Sequence, residues 1–163
     1  MTEMKVQEIV MKAIAAAQIE PWKYYHVCWW EGKLQITEFD SLRLRTLIAS
    51  AKSPGSPANA LLDKLQRLIE SAHTVAPQDI PGDVVTMNSQ VRLKDDDKDN
   101  EITLSLVFPL DAVKDMEFER MRVSVLSPIG LSILGRRAGD TLEGRIRVER
   151  VLYQPEAAGD YHL

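Results

Sequence analysis

Asp95, Asp97 and Asp99 alternate within the run Asp95-Asp96-Asp97-Lys98-Asp99-Asn100-Glu101. Carboxylates at the first, third and fifth positions of a loop are what a calcium ion uses in an EF-hand. That chemistry also needs Gly at the sixth position and a bidentate Glu at the twelfth. Here those positions are Asn100 and Leu106, and the flanks have strand periodicity. The run is expected to be a solvated β-turn. His26, His73 and His162 have no neighbouring ligand at metal spacing. No Ser or Cys stands in a nucleophile motif such as G-x-S-x-G. No catalytic residue, metal ligand or cofactor is expected.

The run Ser127-Pro128-Ile129-Gly130-Leu131-Ser132-Ile133-Leu134-Gly135-Arg136-Arg137-Ala138-Gly139-Asp140 is richer. Ser127 reads as an N-cap with Pro128 at N1, where a missing N–H costs nothing. Ile129, Ile133 and Leu134 share one face of a short helix. Gly135 can take the left-handed turn that ends it. Gly139-Asp140 reads as a tight turn into a strand.

The elements that position this run follow from periodicity. Val6, Ile9, Val10, Ala13, Ile14 and Ala17 predict an amphipathic helix over residues 3 to 19. Residues 22 to 30 hold all three tryptophans and could pair with Leu34-Gln35-Ile36 as a β-hairpin. This aromatic cluster is either core or a partner surface. Thr37, with Asp40 three residues on, reads as an N-cap with a capping box. Leu44, Leu47, Ile48 and Ala51 form one stripe, and Leu61, Leu65, Leu68 and Ala72 another at coiled-coil spacing, widened by Leu62 and Ile69. Ser53-Pro54-Gly55 separates them, and Ser56-Pro57 reads as the cap and N1 of the second helix. Residues 38 to 73 are thus predicted to be an antiparallel helical hairpin, a short coiled coil with arms about 20 to 25 Å long.

Beyond it, strands are expected over residues 84 to 93, 102 to 108, 122 to 127 and 141 to 153, with Gly144 a possible bulge. The fold class is α+β: a helical hairpin followed by an antiparallel sheet domain with one short helix.

Composition narrows the partners. The 163 residues carry a formal net charge of −4, and neither half is basic, with 9 Lys/Arg against 10 Asp/Glu up to residue 83 and 11 against 14 after it. Tight autonomous nucleic-acid binding is disfavoured. One cysteine, Cys28, excludes an intramolecular disulfide and fits a reducing compartment. No apolar run approaches the ~20 residues that span a membrane, and no signal-peptide pattern opens the chain. A cytoplasmic protein with a protein partner is expected, and nothing fixes an oligomeric state.

The run from Ser127 to Asp140 resembles the C-terminal signature of the Gre transcript-cleavage factors, roughly S-P-x-G-x-x-L-L-G-x-x-x-G-D. Asp83-Val84-Val85-Thr86-Met87-Asn88-Ser89-Gln90-Val91 and Tyr153-Gln154-Pro155-Glu156-Ala157-Ala158-Gly159-Asp160-Tyr161 resemble the family's Rnk branch, the regulators of nucleoside diphosphate kinase. The likeness covers about residues 34 to 163. It implies an FKBP-like fold for residues 81 to 163, a hairpin arm over 37 to 80, and an N-terminal extension, 1 to 36, without counterpart. It implies RNA polymerase as partner, with DNA met only through it. Leu126, Ser127, Pro128 and Ile129 align with the loop that grips the coiled coil at the secondary-channel rim, although Leu126 replaces a residue that is polar in the cleavage factors. Those factors carry an acidic pair at the arm tip, which fixes a metal that activates water. Here the tip is Lys52, Ser53, Pro54 and Gly55, and the nearest acid of the second helix, Asp63, lies about 9 Å back along the axis. The resemblance implies a regulator that occupies the secondary channel without stimulating cleavage. A peptidyl-prolyl isomerase is the alternative, by fold analogy. The C-terminal aromatics it would draw on are Phe108, Phe118, Tyr153 and Tyr161. Action on nucleoside diphosphate kinase is a third, suggested by the branch's name.

Overall fold

Thr37 begins the helical part by the chemistry its type suggests. Its Oγ1 accepts the Asp40 N–H at 3.0 Å and starts α1 (Glu38–Ala51). The computed structural model describes residues 34–114, 121–142 and 145–163. The expected helix at 3 to 19, the aromatic cluster at 22 to 30, His26, Phe118 and Gly144 lie outside them. Leu44 and Ile48 of α1 are buried, as are Leu62, Leu65 and Ile69 of α2 (Asn59–Ser71). α2 begins two residues later than Ser56-Pro57 suggested, because residues 57 and 58 form a turn, with the Ala58 N–H on Ser56 Oγ at 3.3 Å. The turn between the helices closes on itself. Asn59 Nδ2 donates to Ser53 O at 2.8 Å, and Gly55 takes φ +75°. Lys52 Nζ lies 2.9 Å from Asp63 Oδ1.

Residues 34 to 36 do contribute a strand, β1 (Gln35–Thr37), but it pairs in parallel with β2 (His73–Val75), Gln35 opposite His73. The two intervening helices supply the long connection that parallel pairing requires.

Among the described residues the main sheet has four strands in the order β5-β4-β3-β6: β3 (Gln90–Asp95), β4 (Asn100–Val107), β5 (Met121–Ser124) and β6 (Ile146–Tyr153). It is mixed, not antiparallel as expected. β3 pairs antiparallel with β4 and β6, but β5 runs parallel to β4, Leu104 opposite Met121. The connection across residues 108 to 120 is long enough for a crossover, and Pro109 does more than stop a strand. It opens a short helix, α3 (Pro109–Lys114). With α4 (Pro128–Ile133) and α5 (Pro155–Ala158), the described residues of the sheet part hold three short helices, where one was expected.

Two strands are shorter than their apolar runs. Residues 84 to 89 are not part of β3 because Thr86 and Ser89 turn the chain: Ser89 Oγ accepts the Thr86 N–H at 3.0 Å, and Asn88 takes φ +62°, while the Asn88 N–H still donates to Leu106 O at 2.7 Å. Residues 141 to 153 are not one strand. Leu142 N–H donates back to Ile146 O at 2.6 Å, and Thr141 bridges Arg147. β6 is kinked beside β3 by register shifts between Gln90 and Val91 and between Arg92 and Leu93.

One hydrophobic cluster joins helices and sheet. Leu44, Leu62 and Leu65 belong to it together with Val91, Leu106 and Ile133, and all six are fully buried. Each such side chain contributes roughly 2 kcal/mol on burial. Leu34–Leu163 is therefore one compact unit.

Gly139 has φ +97°, and its N–H donates to Val148 O at 2.7 Å. Nothing lies within 4 Å of an added Cβ, so a substitution is opposed by backbone strain alone. Gly139→Val is expected to cost about 1 to 2 kcal/mol, since a β-branched residue is disfavoured at positive φ. Thermal unfolding should read this as a Tm several degrees lower. An unchanged Tm would show that the turn rearranges freely.

Candidate functional site: the Ser124–Asp140 region and its supports

Ser124 ends β5 by using its own polar atoms. Its Oγ accepts the Leu126 N–H at 3.1 Å, and its carbonyl accepts the Ser127 N–H at 3.0 Å and the Ser127 hydroxyl at 2.7 Å. These bonds fold residues 124 to 127 into a tight turn, so the strand expected to reach 127 stops at 124. Ser127 is extended (φ −80°, ψ 156°) and its Oγ accepts the Gly130 N–H at 3.0 Å, an N-cap with Pro128 at N1 as the sequence suggested. α4 ends at Ile133 with Leu134 as its C-cap, and Gly135 follows at φ +76°.

The four candidate docking residues are not equivalent. Pro128 is exposed. Leu126 and Ile129 are half-buried and pack against the core, and Ser127 is half-buried in its capping role. The tip residues Lys52, Ser53, Pro54 and Gly55 are all exposed. Pro128 lines a groove together with Leu61, Lys64 and Leu68 of α2.

The three motif runs of the sequence come together in space. Asp83 and Arg137 form a bidentate pair, Nε–Oδ2 3.1 Å and Nη2–Oδ1 3.2 Å. Gly135 N–H donates to Val85 O at 2.9 Å. Gln154 Nε2 donates to the carbonyls of Pro81 and Val84, both at 2.8 Å. Thr86 Oγ1 donates to Glu156 Oε2 at 2.7 Å. Tyr153 O–H donates to Asp160 Oδ2 at 2.5 Å, which, with burial second, pushes the phenol up to about 12. These bonds tie residues 81 to 86 to Gly135 and Arg137 on one side and to Gln154 and Glu156 on the other.

Asp40 has a role that its place in the sequence does not reveal. Its carboxylate does more than reach back to the Thr37 side chain. Oδ2 accepts the Met87 N–H at 3.0 Å, tying α1 to the Thr86–Ser89 turn 47 residues away. Asp40 is 1% exposed, and burial, then the Glu156 charge, raises its pKa to about 6 against the pull of the Met87 N–H and Arg43. Only a long-range partner distinguishes this buried acid from an ordinary first-turn Asp.

The acidic run at 95 to 101 is a hairpin turn whose carboxylates face cations: Asp96–Arg147 3.0 Å, Asp97–Arg145 2.6 Å and Asp99–Lys94 2.8 Å. Lys94 holds the Asp99 carboxyl below the usual range, and Asp99 raises Lys94 in return. Asp95 Oδ1 accepts the Asp97 N–H at 3.0 Å. Among the described residues no group of three His, Cys, Asp or Glu is placed to hold a metal, and no helix is long and apolar enough to cross a membrane. His73 lies in β2 and His162 near the exposed end of the chain. A second groove, on the sheet face, has walls that include Leu93, Ile102, Leu104, Met121, Val123 and Ile129, with no aromatic side chain among the described residues that line it.

Residues 80–153 match the family described as transcription elongation factor, GreA/GreB, C-term. Over 137 residues the chain is 33% identical to the regulator of nucleoside diphosphate kinase of Escherichia coli (strain K12), covering 78% of this chain and 95% of that protein. It is 30% identical over 93 residues to the transcription elongation factor GreA of Acidiphilium cryptum (strain JF-5), 57% of each. The solved structure of a prokaryotic transcription elongation factor GreA/GreB from Nitrosomonas europaea is 33% identical, covers 74% of this chain and 98% of that one, and superposes with a TM-score of 0.59. The α+β architecture, the Ser127–Asp140 run and these likenesses agree, and the chain belongs to the GreA/GreB family of transcription elongation factors, with the regulators of nucleoside diphosphate kinase among its relatives.

Proposed function

We propose that this protein binds RNA polymerase through Leu126, Ser127, Pro128 and Ile129 and regulates transcription by occupying the secondary-channel region without stimulating transcript cleavage. In this reading residues 81 to 163 are an FKBP-like docking domain and residues 37 to 80 a short antiparallel coiled-coil arm. The protein acts in the cytoplasm, and DNA is met only through the polymerase.

The observation that carries the non-cleaving part is the arm tip. Lys52-Ser53-Pro54-Gly55 offers no carboxylate, and the nearest acid of α2, Asp63, is engaged by Lys52 at 2.9 Å. The Lys52 hydrogen bond and charge hold the Asp63 carboxyl below its ordinary range. Activating water through a metal needs carboxylates free to bind it. A backtracked elongation complex is therefore expected to show unchanged cleavage when the protein is added. Excess protein should slow cleavage stimulated by a GreA factor, because both would compete for one site. Magnesium-dependent stimulation, or no competition at saturation, would overturn the reading. The aliphatic walls of the sheet-face groove favour this reading over a prolyl isomerase, whose pocket is lined with aromatics.

Pro128 tests the grip itself. It is exposed, while the cap hydrogen bond is made by Ser127. Pro128→Glu keeps a residue compatible with a helix start, where negative charge is favoured. Stability should change little, while polymerase binding falls about tenfold, or 1.4 kcal/mol. Parent-like binding to core polymerase would leave the loop as a helix cap only.

A further inference from the structure

We propose that the face of the four-stranded sheet turned away from the core binds the sugar-phosphate backbone of single-stranded RNA. Val91 and Leu93 of β3, Leu104 and Leu106 of β4 and Val148 of β6 are buried in the core cluster. Strand alternation puts the residues between them on the opposite face. There Arg92 stands directly opposite Arg150, and Lys94 directly opposite Arg147. These two successive pairs form a block of cations, with Cβ atoms about 5 Å apart within a pair and rows about 7 Å apart along the strands. Like charges directly opposite one another destabilise a sheet. The β6 bulge imposes one of the two pairs, because the register passes over Glu149 and sets Arg150 against Arg92. An anion held between the strands turns that repulsion into attraction.

The protein's own acids satisfy this block only in part. Asp99 takes Lys94 at 2.8 Å and Asp96 takes Arg147 at 3.0 Å, but Glu101 reaches Arg92 only at 3.9 Å. Glu101 and Glu149 act on Lys94 more weakly than Asp99 does. Arg150 is exposed and makes no ion pair among the described residues. Surface pairs of this kind contribute about 0 to 1 kcal/mol each, so phosphates can replace them. Two guanidinium groups facing each other suit a phosphate, whose several oxygens can be shared, better than a carboxylate, which one guanidinium fork satisfies. The rest of the face suits a ribose chain. Thr103 stands opposite Arg92, and Ser105 and Tyr153 opposite Gln90. A groove of about 550 Å³ continues the face, lined by Asn88, Gln90, Ser105, Asp111, Arg122 and Tyr153 among others. Its hydroxyl and amide groups can bond 2′-hydroxyls, and the Tyr153 ring can take a base. On a chain of net charge −4 such binding is weak and strongly salt-dependent. It is separate from the polymerase grip, and its test needs no polymerase.

The probe is a fluorescein-labelled single-stranded RNA of mixed sequence, titrated against the full chain by anisotropy at several salt concentrations. Single-stranded DNA of the same sequence, a DNA duplex and a poly-glutamate peptide are run beside it. RNA is expected to bind saturably, with log K falling against log salt at a slope of about −2 to −3. The double variant R92Q/R150Q should weaken RNA binding at least fivefold and flatten that slope by about 1.4, two phosphates at roughly 0.7 each. Its melting temperature should be unchanged or higher, because a like-charge pair has gone. The variant D96N/D99N should tighten RNA binding severalfold, because it releases Arg147 and Lys94. Absence of saturable binding, parent-like binding by R92Q/R150Q, or unchanged or weaker binding by D96N/D99N would overturn the proposal. DNA, single-stranded or duplex, binding as tightly as RNA would overturn the assignment to RNA. Tighter binding of poly-glutamate would overturn it in favour of an acidic protein surface.

Discussion

Gly130→Ala is expected to destabilise the fold by about 3 kcal/mol, more than any surface change in this loop. A Cβ built on Gly130 lies 2.1 Å from the Ser124 carbonyl oxygen and 3.0 Å from Val125 Cα. Both are backbone atoms, so no rotamer change relieves the contact. Either α4 must slide away from the 124–127 turn or the turn must open. The first loses the Gly130 N–H bond to Ser127 Oγ (3.0 Å), and the second loses the Val125 N–H bond to Val107 O (2.9 Å). Against a total stability of roughly 5 to 15 kcal/mol, this removes a large fraction. Thermal unfolding should show a Tm lower by about 6 to 12 °C. A parent-like Tm would mean that α4 and the turn are not held together as described. On the proposed function, the mutant should also lose polymerase binding, because the loop that carries Pro128 is the part displaced.

Asp40→Asn is expected to stabilise the protein at neutral and alkaline pH by about 2 to 3 kcal/mol. Burial raises the Asp40 pKa from 3.8 to about 6, so the folded state holds a proton there that the unfolded state has released between those values. Stability from this group is therefore greatest below about pH 4. It declines as pH rises towards 6 and stays low above it. A carboxyl held that far above its ordinary pKa costs about 3 kcal/mol once it is ionised. The Asn carbonyl can still accept the Met87 N–H that Oδ2 accepts at 3.0 Å, and removing the charge removes the repulsion from Glu156. Urea melts at pH 8 and pH 4 should show a gain that is present at the first and absent at the second. An equal effect at both pH values would show that Asp40 acts through its hydrogen bond and not through its charge.

The local elements were legible in the sequence because their causes are local. Thr37 and Ser127 cap helices because an oxygen one atom beyond Cβ reaches the N–H three residues on, whatever the rest of the chain does. Gly135 and Gly139 turn because positive φ is open to glycine. The two apolar stripes bury Leu44, Ile48, Leu62, Leu65 and Ile69 because helical periodicity is written into residue spacing. The aspartates of 95 to 101 read as a turn for the same local reason. So did the family, since its motifs are runs of adjacent residues.

The tertiary structure decided what no local pattern encodes. An apolar alternating segment is compatible with either strand direction. That β5 runs parallel to β4 follows from a crossover whose length and helix α3 leave room for it. The runs 84–89 and 141–145 have strand composition, but the Thr86–Ser89 turn and the Leu142–Ile146 bond take backbone groups away from the ladder. Asp40 looks like a capping acid until the fold brings Met87 and Glu156 to it. Gly130 looks like an ordinary helix glycine until Ser124 closes against it. The three motif runs identify a family by adjacency. Asp83 on Arg137, Thr86 on Glu156 and Gln154 on Val84 give them a physical task, holding the three runs to one another. Contacts across 54 to 70 residues depend on how whole elements pack, and packing is set by the summed fit of many side chains rather than by any one of them.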